Sequence, residues 1–326
     1  MFYLTHRRLH ALMLIFSLVS LATFLFRDTS FFFGPFQNVG SRSCGCRSCV
    51  WDTEKEDPWF SERFNQSVLP LLSRSNRELS EETYRWWLSL QGEENPSNLN
   101  VVTDRLFQFV PGEQRYVDAG PSRCRSCSVV GNSGNLLLSH YGKLIDSSDF
   151  VFRINEAPTL GFERDVGHRT THHVMYPESA INLHNSSTSL LFVPFKTLDL
   201  EWIISALTSG NITFTYMPVI PKINVKRDHV LVYNPSFMKY VYEVWLEDHG
   251  QYPSTGFLTI IFALHVCDEV NVFGFGADPE GNWHHYWEEN SMSGAFKETG
   301  VHNADYEYNM TRLLAQKGKI RLFKGF

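Results

Sequence analysis

The chain has 326 residues, 43% hydrophobic and 14% aromatic, enough for one large core or two and an added tail. Its formal net charge is −6 and its pI is about 6.1. No basic block interrupts that balance, so no nucleic acid is expected as a partner.

The N-terminus carries Arg7 and Arg8 and then an apolar run, Leu9 to Phe26. That run approaches the roughly 20 residues that span a bilayer. The preceding arginines keep the N-terminus cytosolic and send the rest across. A cleaved signal peptide is the rival reading. No small-x-small cleavage site is evident, and Phe and Leu crowd the far end, so an uncleaved type II anchor is expected. Residues 1–8 are then a cytosolic tail, 9–26 the membrane helix, 27–60 a lumenal stem and 61–326 the folded domain. A lumenal setting agrees with four N-x-S/T sequons, at Asn65, Asn185, Asn211 and Asn309. Six cysteines, Cys44, Cys46, Cys49, Cys124, Cys127 and Cys267, read as disulfides in an oxidising compartment. Their C-x-C-x-x-C and C-x-x-C spacings also look like zinc half-sites, but no second tight pair stands near Cys267.

A helical pattern begins at Trp59. Ser80 to Leu90 has helical apolar spacing, with Trp86 and Trp87 expected in the core. Residues 92–123 read as polar loop broken by Pro96, Pro111 and Pro121. From Cys124 the texture changes. Strand-like runs occur at 128–130, 150–154, 189–195, 229–233 and 269–275. Helix-like runs occur at Phe237 to Glu247 and Thr255 to His265. That alternation predicts an α/β domain with a mostly parallel sheet flanked by helices.

Four stretches carry polar chemistry. The first, Cys127 to Asn135 (C-S-V-V-G-N-S-G-N), is a short strand running into a Gly/Asn turn, continued by R-I-N-E-A-P at Arg153 to Pro158. Gly131 and Gly134 can take positive φ there at no steric cost, so the backbone can bend sharply and approach a ligand, and Asn132 offers its amide to a ligand. A strand ending in such a turn is a nucleotide-docking position in α/β domains. The second is Y-P-S-T-G-F, Tyr252 to Phe257, where Ser254 and Thr255 open a helix and can face an anion. The third is G-N-W-H-H-Y-W-E, Gly281 to Glu288, with two histidines among three aromatics. The fourth is H-N-A-D-Y-E, His302 to Glu307. Read singly, each is more often structural: a turn, a helix cap, a His–Glu pair. Adjacent histidines (172–173, 284–285) chelate poorly because neighbouring side chains diverge. No D-x-D is present to hold a divalent ion against a pyrophosphate. A sugar nucleotide donor would therefore leave as a monophosphate, held by histidine and helix N–H groups.

In this order the four stretches resemble the large, small, third and very small motifs of the eukaryotic sialyltransferases. The likeness extends from Cys44 to Phe326 and is dense in T-H-H-V-M-Y-P-E-S, V-P-F-K-T-L-D-L-E-W, H-G-Q-Y-P-S-T-G and F-G-F-G-A-D-P-E-G-N-W-H-H-Y-W-E. Within the family it is most similar to members making α-2,3 links to Galβ1-3GalNAc. The resemblance implies a single Rossmann-like, GT-A-like glycosyltransferase domain and metal-independent, inverting transfer with no cofactor. It implies CMP-N-acetylneuraminate as donor and Galβ1-3GalNAc glycoproteins or glycolipids as acceptors. It implies a Golgi location, with a secreted form if the stem is cut. Asn132, Asn155, Ser254, Thr255, Gly256 and Gly276 would contact the donor. Gln91, Tyr216, Tyr252 and Trp283 would contact the acceptor. His285 would stabilise the departing phosphate and His302 would be the general base, working near the ordinary histidine pKa of about 6.5. The implied disulfides are Cys44–Cys49, Cys46–Cys124 and Cys127–Cys267. The chain departs from its nearest relatives at Leu136 to His140, at Glu156 and at Asn303. These leave donor affinity and acceptor preference less defined than the reaction.

Overall fold

The computed structural model describes residues 43–52, 57–183, 187–277, 282–289 and 300–325. The expected tail and membrane helix (1–26), most of the expected stem and Asn185 lie outside the described residues. Among the described residues no helix is long and apolar enough to cross a membrane.

Before the sheet come helices α1 (Pro58–Arg63), α2 (Glu81–Ser89) and α3 (Leu99–Phe109). Their starts follow from side chains that cap free N–H groups. Asp57, Ser80 and Asn98 accept from Phe60, Thr83 and Val101 respectively. Trp87 is fully buried, whereas Trp86 is half-buried, tilted against Tyr242 at 5.5 Å. The region expected to be loop is therefore interrupted by α3. Its Val102, Leu106 and Phe107 are buried at the i, i+4, i+5 positions that form one helical face.

The sheet is built from β1 (Ser126–Val130), β2 (Phe150–Ile154), β3 (His172–Met175), β4 (Ser189–Phe192), β5 (Val230–Val232), β6 (Glu269–Phe273) and β7 (Arg321–Phe323). All neighbours pair in parallel, in the order β5-β4-β3-β2-β1-β6-β7. The connecting helices are α4 (Gly142–Asp146), α5 (Glu163–Val166), α6 (Thr197–Ala206), α7 (Pro235–Tyr240), α8 (Thr255–Val266) and α9 (Ala304–Gln316). After α7 the helix continues as a π-turn through Trp245.

Alternate residues of each strand face opposite layers. Cys127, Val129, Phe152 and Val272 enter the larger core, while Val130, Val151 and Phe273 enter a smaller one with Leu136 and Tyr286. α8 packs against β1, β2, β3 and β6 and is buried nearly all round, as its continuous apolar sequence requires.

The chain steps outward from β1 to β5 and then returns to place β6 on the other side of β1. In an open parallel sheet that reversal leaves a crevice at the carboxyl ends of the two strands. Here those ends carry the turn after Val130 and the turn after Phe273.

The three disulfides pair Cys44–Cys49, Cys46–Cys124 and Cys127–Cys267, leaving no free cysteine. Both zinc half-sites are thus consumed in S–S bonds. Cys127–Cys267 ties the second residue of β1 to the end of α8. The cysteine-rich segment belongs to the compact unit, which runs from Ser43 to Phe326. Val50 N–H donates to Asp268 O and Trp51 Nε1–H to Leu264 O. Ser43 to Trp51 is therefore fastened to the domain, although the composition had suggested a stem through residue 60.

Candidate active site

The site starts with two strand ends brought unusually close. Gly131 N–H donates to Phe273 O at 2.8 Å, and Ser133 N–H to Gly274 O at 3.1 Å. A Cβ on Gly131 would lie 2.4 Å from the Gly274 carbonyl oxygen. Neither Gly131 nor Gly134 uses the positive φ open to glycine; in the facing turn Gly274 at +68° and Gly276 at +100° do. Gly131 is needed for close approach, not for its φ.

The third stretch then lies on the first. Gly134 N–H donates to His284 O at 2.8 Å and Tyr286 N–H to Asn132 O at 3.0 Å, with Ser133 and His285 forming an antiparallel bridge. This delivers His285 to the mouth of the crevice. Its Nδ1 lies 2.8 Å from Glu288 Oε1, and its ring stacks on Trp287 at 4.4 Å.

Asn132 donates through Nδ2 to Ile154 O, leaving its Oδ1 buried without a partner. Asn155 follows β2 in the left-handed region at φ +56°, a conformation asparagine tolerates well. Its amide oxygen accepts from Ser179 Oγ at 2.9 Å, and its carbonyl faces His173 Nε2. Burial holds His173 down to about 4 and His172 to about 3, so both are neutral core residues. His172 packs between Phe150 and Phe152 and meets the Tyr116 hydroxyl.

α8 begins at the same crevice. Ser254 is its N-cap, accepting from Phe257 N–H at 3.1 Å, so the helix presents its positive end beside Thr255 and Gly256. Glu307, from α9, accepts from both Ser254 N–H (2.7 Å) and Ser254 Oγ. Burial raises Glu307 to about 7, against those hydrogen bonds. Asn303 caps α9 by accepting from Tyr306 N–H, which places His302 just ahead of the helix. His302 Nδ1 lies 2.8 Å from Tyr252 O. A carbonyl only accepts, so Nδ1 carries the proton and Nε2 keeps the lone pair. Burial pulls the His302 pKa below 6.5, only partly offset by that hydrogen bond. The expectation of an unperturbed histidine is corrected in that direction.

One cavity of about 380 Å³ is lined by Asn132, Asn155, Ser254, Thr255, Gly256, Gly276, His285, His302, Gln91, Tyr216, Tyr252 and Trp283, every residue expected in the site. The same wall contains residues the sequence did not single out: Ser133, Tyr176, Phe195, Phe275, Tyr308 and Thr311. Ser133 was adjacent to a flagged asparagine. Phe195 and Phe275 end strand-like runs, whereas Tyr176, Tyr308 and Thr311 lie in segments with no local signal of a cavity wall. Of the departures from the family pattern, Glu156 is exposed, and Leu138 and His140 N–H groups both donate to the Asp165 carboxylate. Asn65, Asn211 and Asn309 are all exposed. The Thr311 hydroxyl of the third of these sequons is buried, donating to Glu307 O inside α9.

Among the described residues, the grouping of potential metal-ligating atoms is Cys44, Cys46 and Asp268, whose sulfurs are in disulfides and which does not line the cavity.

Residues 71–319 match glycosyltransferase family 29 (sialyltransferase). The chain belongs to that family. It is 55% identical over 285 residues to CMP-N-acetylneuraminate-beta-galactosamide-alpha-2,3-sialyltransferase 1 of Gallus gallus, covering 87% of this chain and 83% of that one. To the Homo sapiens enzyme of the same name it is 55% identical over 288 residues, covering 88% and 84%. It is 52% identical to the Mus musculus alpha-2,3-sialyltransferase 2, covering 87% and 81%. The fold superposes on the crystal structure of a mammalian sialyltransferase with a TM-score of 0.81 and 53% identity, covering 87% of this chain and all of that one. A second such structure, in complex with Gal-beta-1-3GalNAc-ortho-nitrophenol, gives 0.80 at 53% identity with the same coverage.

Proposed function

We propose that this family 29 sialyltransferase transfers N-acetylneuraminic acid from CMP-N-acetylneuraminate to O3 of galactose in Galβ1-3GalNAc glycans of glycoproteins or glycolipids. The observation that carries the proposal is one cavity lined by groups suited to a phosphate and by groups suited to a sugar. The N-terminus of α8 and His285 can meet the phosphate, and His302, Gln91, Tyr216, Tyr252 and Trp283 line the same cavity. Relatives at 55% identity bearing the alpha-2,3-sialyltransferase name support the linkage, and the relative's complex with the disaccharide supports the acceptor.

The reaction follows from these residues. The donor's anomeric carbon already carries a carboxylate, so its transition state is oxocarbenium-like and the nucleophile can be a neutral hydroxyl. His302 Nε2 takes the O3 proton as the C–O bond forms. CMP leaves as a monophosphate toward the α8 N-terminus and His285, with its charge met by helix N–H groups and imidazole. Attack opposite CMP inverts a β-linked donor to an α-linked product. Asn132 and Asn155 hold the donor, and the aromatic rings pack on the disaccharide. No metal or cofactor is assigned, because those N–H groups and His285 can meet the monophosphate charge and no D-x-D is present. We further read the domain as Rossmann-like in the GT-A manner, held in the Golgi membrane by residues 9–26 as a type II anchor, with a secreted form after stem cleavage.

The test is transfer by the purified full-length protein from CMP-N-acetylneuraminate to Galβ1-3GalNAc, with the linkage read by an α-2,3-specific sialidase. No CMP release with any β-galactoside would sink the enzyme reading and leave a lumenal sugar-binding protein. Transfer only to another β-galactoside, such as Galβ1-4GlcNAc, would correct the acceptor alone.

A further inference from the structure

Gln91 and Tyr216, two of the residues expected to contact the acceptor, rest on a buried charge that does not itself line the cavity. Lys196, just before α6, has a side chain 4% exposed. Its Nζ lies 2.7 Å from Asp199 Oδ1, 3.3 Å from Glu178 Oε1 and 2.5 Å from Gln91 Oε1, and 5.0 Å from the centre of the Tyr216 ring. The Glu178 and Asp199 side chains are 2% and 0% exposed. The Thr215 hydroxyl donates to Glu178 and Phe195 N–H to Asp199, so the cluster holds the Tyr216 loop and the start of α6 together.

An ammonium group has three donors and no acceptor. Gln91 can therefore meet Lys196 only through its amide oxygen; the flipped amide would set NH₂ against NH₃⁺. Its NH₂ must then face away from Lys196. Gln91 lines the cavity, so that NH₂ is the donor it offers a ligand there.

We propose that Lys196 is a positioning residue for the acceptor: it fixes which way the Gln91 amide points and thereby leaves the Gln91 NH₂ to donate to a sugar oxygen, while its charge holds the Tyr216 ring in place. The inference rests on the transfer reaction proposed above. It predicts that acceptor recognition depends on Lys196 acting through Gln91 and Tyr216, with no role in donor binding.

Initial rates of the full-length protein with CMP-N-acetylneuraminate and Galβ1-3GalNAc test it. Gln91→Glu keeps an oxygen for Lys196 but has no N–H for the sugar; its acceptor KM should rise about tenfold, the loss of one productive hydrogen bond, with donor KM within about twofold of wild type. Lys196→Met should show the same split. Adding it to Gln91→Ala should raise acceptor KM by less than it does in the wild-type protein, because part of its effect runs through Gln91. An unchanged acceptor KM in Gln91→Glu overturns the amide assignment, and that variant keeps the test decisive if Lys196→Met does not fold. Additive effects in the double variant, or donor and acceptor KM rising together in Lys196→Met, reduce Lys196 to a structural role and overturn the proposal. Wild-type protein inactive on this disaccharide would overturn the reaction reading instead, so the two failures are distinct.

Discussion

His302 is held with one ring nitrogen committed and the other directed by that commitment. Nδ1 donates to Tyr252 O at 2.8 Å, so the basic lone pair sits on Nε2, and the Tyr252 ring meets the imidazole edge-to-face at 5.0 Å. His302→Ala should lower transfer by about 10²–10⁴-fold, the range of a positioned general base. CMP affinity should stay near wild type, because CMP is expected to be held by Asn132, Asn155, His285 and the N-terminus of α8 and not by His302; calorimetry with CMP checks this. Loss of CMP binding along with transfer would remove the base assignment. The same residue sets a pH prediction. Burial lowers its pKa below 6.5, and the reactive form is neutral. Activity is therefore present above the lowered pKa and disappears as pH falls through it. The acid limb of kcat/KM, which reports the free enzyme, should have its midpoint below 6.5. A midpoint at or above 6.5 would contradict a desolvated base.

At the scale of elements, the crevice depends on β1 and β6 ending side by side with almost nothing between them. Gly131→Ala keeps an ordinary φ but drives a methyl to within 2.4 Å of the Gly274 carbonyl oxygen. Neither backbone can yield without breaking the Gly131 N–H to Phe273 O bond. The substitution should destabilise by about 1–3 kcal/mol, as overpacking does, and weaken CMP binding; denaturant melts and CMP titration read both. Gly134→Ala is the control, since its methyl would find only ordinary contacts from 3.6 Å. This region also marks how much was legible beforehand. β2 (Phe150–Ile154) and α8 were visible because one is a β-branched and aromatic run and the other a continuous apolar run opened by Ser254. β3 was not, because His172 and His173 read as polar; nothing local says that one histidine stacks on phenylalanines and the other holds Asn155 O. β7 is only three residues long and has a partly exposed pattern, so it looks like a tail until β6 is beside it. The site residues were placed through family motifs. The role of Glu307 as acceptor for Ser254 spans 53 positions in sequence and is a property of packing alone.

For the molecule as a whole, the buried ionisable groups fall into two opposed sets. Burial depresses His172 to about 3, His173 and His265 to about 4, and lowers His302. Each takes a proton in the unfolded chain near 6.5 but refuses it in the folded one. Their stabilisation is thus fully present above 6.5 and is lost as pH falls toward their folded values. Asp199 and Glu307 act the other way: burial raises both to about 7, so their stabilisation is present below about 4 and is lost as pH rises through 7. Between about 4.5 and 6.5 the histidines outnumber the carboxylates, so stability should rise with pH, by about 1.4 kcal/mol per pH unit for each unmatched proton. Above 6.5 the histidines no longer differ between states and the carboxylates alone act, so stability should decline and then level off past 7. The folded domain should therefore be most stable near pH 6.5. Chemical denaturation at pH 5, 6.5 and 8 reads this directly, and a steady rise from 5 to 8 would show that Asp199 and Glu307 are ionised in the native state. Replacing Glu307 with Gln should remove part of the decline above 6.5 and steepen the rise between 4.5 and 6.5, because one of the two carboxylates that oppose the histidines is gone.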